Sequence, residues 1–153
     1  MGMAATIPYL HGRRSRTLPE RREPVRVARR WGHAFVFGRG AVSHPPRTQL
    51  EPDVLVVPAR YPLRDKWQDM SEHWLAVEVY SRSSRVYDRE FKRDAYLDLG
   101  VRDVWLVDRW ERSVEVSRER CKYDTVRDAI VWHVPTLALE VRVDLSEVFV
   151  GIE

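Results

Sequence analysis

Cysteine is almost missing: Cys121 is the only one in 153 residues. No internal disulfide can form, and a cysteine-built zinc site is excluded. Lysine is nearly as scarce, with Lys66, Lys92 and Lys122 the only three. No apolar run approaches the ~18 residues that a membrane span requires. No charged start leads into an apolar segment of the secretory kind, so a cytoplasmic protein is the expectation. No Gly-rich phosphate loop follows a strand, and no Gly-x-Ser-x-Gly elbow occurs. His11, His33, His44, His73 and His133 show no metal-ligand spacing.

What remains is one domain's worth of chain, 44% hydrophobic and 32% charged, a globular balance. The net charge of +3 hides an asymmetry. Residues 1–50 carry ten Arg against Glu20 and Glu23, while the acids outnumber the bases afterwards. Such an arm can bind nucleic acid. Arginine dominates throughout, however, and coding composition is the simpler reading. Residues 1–24 mix Pro and Gly with Arg and show no period, so a poorly ordered basic arm is expected. Residues 25–153 then form a single domain.

Strand-like pieces fall around Val25–Val27 and Ala34–Phe37, and Pro45–Pro46 closes that region. Asp53–Val57 reads as a short buried strand ended by Pro58. Trp74–Tyr80 is a second, with one charge inside it. Residues 86–99 read as a helix, with Gly100 just past its end. Strands follow at Val104–Val107, Ser113–Arg118, Ala129–Val134 and Leu139–Leu145, then a short helix at Ser146–Phe149. The order predicts an α/β fold, a mixed sheet flanked by helices with one crossover helix.

Three residues stand out. Glu78 lies inside an apolar strand, where an ionised carboxylate is costly unless paired or metal-bound. Asp53 opens a neighbouring strand. Two carboxylates on neighbouring strands make an oxygen site for Mg²⁺. Lys92 is central on the inward helix face, with Asp88 at about −40° and Tyr96 at about +40° from it. Each has a plain structural reading: a turn residue, a buried ion pair, an ordinary i,i+4 pair of Lys92 with Asp88. Together they suggest phosphodiester hydrolysis, with the ion polarising the phosphate and Lys92 stabilising developing charge.

The stretch Pro52-Asp53, Leu75–Ser84, Asp88–Tyr96 and Gly100–Asp108 resembles the Uma family of restriction-endonuclease-like domains, within the PD-(D/E)xK nuclease superfamily. Leu137–Phe149 is similar to that family's closing strand and short helix. The resemblance implies a restriction-endonuclease-like fold and a Mg²⁺-dependent endonuclease acting on DNA, with Mn²⁺ as a substitute. It implies Asp53 and Glu78 as metal ligands, the main-chain carbonyl of Val79 as a further ligand, Lys92 as catalytic lysine and Asp88 as support. The superfamily's usual lysine position, two residues after the acid, is Tyr80 here. Members carry a longer region before the Pro-Asp strand, so this chain is atypical or shortened on that side. The alternative is an inactive module of the same fold that binds nucleic acid or pairs as a homodimer.

Overall fold

In a computed structural model, residues 27–44, 48–61, 69–80 and 86–151 are described. The expected basic arm lies outside them. So do Val25, Pro45–Pro46 and the Ser81–Ser84 turn.

The elements are β1 (Val27–Trp31), β2 (Ala34–Gly38), β3 (Val42–His44), β4 (Thr48–Leu50), β5 (Val54–Pro58), β6 (His73–Val79), α1 (Val86–Asp98), β7 (Val101–Asp108), β8 (Ser113–Glu119), β9 (Lys122–Val126), β10 (Ala129–His133), β11 (Glu140–Asp144) and α2 (Leu145–Val148). Seven strands form one sheet in the order β1-β2-β5-β6-β7-β8-β9. Every neighbouring pair in it is antiparallel except β6 and β7. A parallel pair needs a crossover, and α1 supplies it. Gly100, at φ +85°, lets the chain leave the helix: its N–H bonds to the Leu97 carbonyl at 3.0 Å, in a backbone conformation that glycine adopts without strain.

The architecture is a large mixed sheet with few helices, consistent with a restriction-endonuclease-like fold. Among the described residues the two faces are covered differently. On one, α1 packs over a core that contains Phe37, Leu55, Ala76, Tyr96, Val104 and Leu106. The other face is covered mainly by a separate two-stranded hairpin, β10–β11, followed by α2. Ile130, Trp132, Val141, Val143, Leu145 and Phe149 meet Leu75, Val77, Trp105 and Val107 of the sheet. The alternation in β10 and β11, buried residues separated by exposed ones, is what a one-sided hairpin requires. Trp105 and Trp132 meet edge to face at 6.1 Å.

Candidate active site

The antiparallel register places Val54 opposite Val77 and Leu55 opposite Ala76. Continuing that register by one residue sets Asp53 across from Glu78. Leu55 and Ala76 both belong to the core under α1. Asp53, two residues before Leu55, and Glu78, two residues after Ala76, therefore face α1 as well.

Asp53 is anchored twice. Its carbonyl accepts the Arg39 N–H at 2.8 Å, and its Oδ2 accepts the Val79 N–H at 2.8 Å. Close approach of the segment after β2 to Leu55 of β5 depends on Gly40. A Cβ there would stand 2.6 Å from Leu55 Cβ, below any real contact.

Glu78 is 6% exposed and both its oxygens are held from α1. Lys92 Nζ donates to Oε2 at 3.1 Å, and Tyr96 Oη donates to Oε1 at 2.6 Å. Burial, then the Glu78 carboxylate itself, pushes the Tyr96 phenol up. It therefore stays protonated and acts as a donor. The charges of Asp53 and Glu51 push in the same direction, which puts both carboxylates within electrostatic reach of the Tyr96 hydroxyl.

Asp53, Glu78 and Lys92 are thus brought together by β5, β6 and α1. Asp88 lies in α1, and its side chain is outside the described residues. Lys92 is not the centre of the inward face, as the helical spacing predicted. Among the described side chains of α1, Arg93 and Tyr96 are the buried ones, and the Lys92 side chain is 44% exposed. The reason is that Arg93 finds partners indoors: Asp94 at 3.1 Å and the Tyr123 ring at 5.2 Å. A residue at the margin can reach a buried acid and still keep its ammonium near water.

Tyr80, at the usual lysine position, is buried, and its hydroxyl has no hydrogen-bond partner among the described residues. Burial first, then the charge of Glu115, pushes its phenol up. The Arg89 guanidinium lies 4.2 Å from its ring centre and pairs with Asp108 at 2.6 Å. A cation already occupies this neighbourhood, so a lysine at position 80 would meet like charge.

Two features escaped the sequence reading. Tyr96 was visible as Lys92 plus four on the same helical stripe, yet it read as part of the semi-apolar face. Its polar tip opposite a buried acid was the available signal. The Arg89–Asp108–Tyr80 cluster left none, because its members come from three separate elements.

A family model described as "Uma2: Putative restriction endonuclease" matches residues 3–149. Among solved structures, one described as a "putative nuclease belonging to DUF820" from Anabaena variabilis ATCC 29413 is similar, with a TM-score of 0.58 and 18% identity. The match covers 76% of this chain and 68% of that one. At that identity the likeness concerns the fold. No curated protein matches.

Proposed function

The chain belongs to the Uma2 family, and from that premise we propose that it is a divalent-metal-dependent endonuclease hydrolysing DNA phosphodiester bonds. The observation that carries this reading is the hold on Glu78. A carboxylate sits on a buried strand with a cation on one oxygen and a phenol on the other, beside an anchored Asp53. For folding alone, an apolar residue at position 78 would serve as well or better, because burying a carboxylate costs desolvation. The arrangement is better explained by chemistry than by stability.

The donor set fits Mg²⁺ or Mn²⁺. Asp53 and Glu78 offer hard oxygens, the class these ions take, and the main-chain carbonyl of Val79 would add a third. Among the described residues no group of three or more His, Cys, Asp or Glu gathers to hold an ion. Mg²⁺ typically keeps several waters and is held by one or two carboxylates together with substrate phosphates. Such an ion, when bound, supplies Lewis-acid polarisation of the phosphate.

The chain's own groups carry the rest. Asp53 and Glu78 would hold the ion, and so set the place to which a phosphate is drawn. Lys92 is half exposed on a flexible stem, so its ammonium can turn from Glu78 Oε2 to the charge that develops on the phosphate oxygens. Val79 N–H keeps Asp53 in place throughout.

The test is nicking of supercoiled plasmid by the purified chain with MgCl₂ or MnCl₂, with EDTA as blank and RNA as a second substrate. Cleavage above the blank that Glu78→Gln abolishes supports the reading. Absence of cleavage at any metal concentration overturns it in favour of an inactive nucleic-acid-binding or homodimeric module.

A further inference from the structure

We infer that Tyr96 is a positioning residue, whose hydroxyl fixes the Glu78 carboxylate in the orientation that receives a divalent cation. This rests on the endonuclease reading above and deepens it at the same site.

The two groups that hold Glu78 differ in kind. Lys92 and Tyr96 stand four residues apart, one turn of α1, and together grip both oxygens of one carboxylate. The Lys92 side chain is 44% exposed, long and rotatable, and carries the same sign of charge as a metal ion. A cation arriving at Glu78 Oε2 would meet that ammonium and repel it. Tyr96 is fully buried, has only two side-chain torsions, and is neutral. It has no reason to leave when a cation arrives.

A carboxylate can only accept, so the phenol must donate. With Oε1 held at 2.6 Å by Tyr96, the carboxylate plane is fixed from a rigid point in the core. Oε2 is then the oxygen left to change partner. Packing does not ask for the hydroxyl. The Tyr96 ring sits among Leu55, Ala76, Val104 and Leu106, and a phenylalanine would fill that space. Hydrogen-bond partners of metal ligands typically contribute 10–100-fold in affinity.

The experiment is isothermal titration of the full chain with MnCl₂, beside a thermal melt of each metal-free protein. Tyr96→Phe should weaken Mn²⁺ binding about 10–100-fold. Tyr96→Leu is the second variant and should show at least that loss. Leu97→Ala trims a partly buried neighbour in the same core; it should lower the melting temperature without weakening Mn²⁺. In a Glu78→Gln background, Tyr96→Phe should have no further effect. Tyr96→Phe within twofold of wild type, with wild type binding Mn²⁺, overturns the positioning role and leaves the metal reading standing. An equal weakening by Leu97→Ala also overturns it, because general loosening would then be the cause. Failure of the wild type to bind Mn²⁺ brings down both.

Discussion

The carboxylate of Asp53 accepts the main-chain N–H of Val79 at 2.8 Å, so the acid before β5 is tied to the end of β6, one residue past Glu78. The tie makes the spacing of the two acids a property of the sheet and not of flexible side chains. Asparagine at position 53 could accept the same N–H, which separates the structural part of Asp53 from its charge.

Metal binding should therefore be removable without unfolding. At about 100 times the dissociation constant, Mg²⁺ or Mn²⁺ should stabilise the wild type by about 2.7 kcal/mol, or about 5–11 °C in Tm for a domain of this size. The double variant Asp53→Asn, Glu78→Gln should melt cooperatively and show no metal-dependent shift. A retained shift would place the ion elsewhere on the protein.

Lys92→Ala should cut plasmid about 100- to 1,000-fold more slowly than wild type, the typical loss for one preorganised donor to developing charge. Its far-UV circular dichroism should be unchanged, because Tyr96 still holds Glu78. Lys92→Arg should not restore the rate, since a planar guanidinium does not replace a compact ammonium. Lys122→Ala, on the exposed edge strand β9, is the control and should cut normally. Equal rates for Lys92→Ala and wild type would remove the lysine from the mechanism.

Gly40→Ala should destabilise by about 1–3 kcal/mol, the usual range for forced overpacking. The added methyl would stand 2.6 Å from Leu55 Cβ and 2.7 Å from its Cδ2. Because Cβ cannot rotate away, the segment after β2 must shift away from Leu55. A chemical denaturation midpoint equal to that of wild type would show that the approach is not tight in solution.

His73 is buried, and neither ring nitrogen has a partner among the described residues. Burial holds its imidazole below the usual 6.5, against the opposing charge of Glu72. The folded state therefore keeps it neutral where the unfolded chain would protonate it. Its contribution is fully present above about pH 6.5 and is lost as pH falls toward the folded value. Urea midpoints at pH 7.5 and 5.5 should show the wild type losing more stability than His73→Leu. Equal losses would mean that the ring finds water or a partner.

Much of this was legible because the site lies within short, patterned segments. Asp53 and Glu78 were each out of place in an apolar strand, and one register relates them. Gly100 marked the end of α1 correctly. Residues whose role depends on distant contacts were harder to read. Arg93 carried no signal in the sequence, and it is buried where Tyr123 of β9 meets it. That strand itself was missed: Lys122–Val126 is exposed along nearly its whole length, so no apolar alternation marks it. The three-residue strands β3 and β4 were missed because nothing so short carries a period. β10 and β11 were read as strands, but no residue pattern says that they pair only with each other. Their place is set by packing on the sheet from distant parts of the chain, as where Trp132 meets Trp105.

The two faces of the seven-stranded sheet divide the molecule's risks. One carries the acids, the lysine and a buried phenol; the other carries the tryptophan- and valine-rich layer under β10–β11. Changes at sites far apart and without shared partners combine nearly additively. The hairpin side is thus a reserve from which damage on the acid side can be made good. In a selection for function, second-site suppressors of Gly40→Ala should accumulate in β10, β11 and α2, as better packing around Ile130, Val141 or Phe149. Suppressors of Lys92→Ala should not appear there, since no gain in stability returns a missing charge.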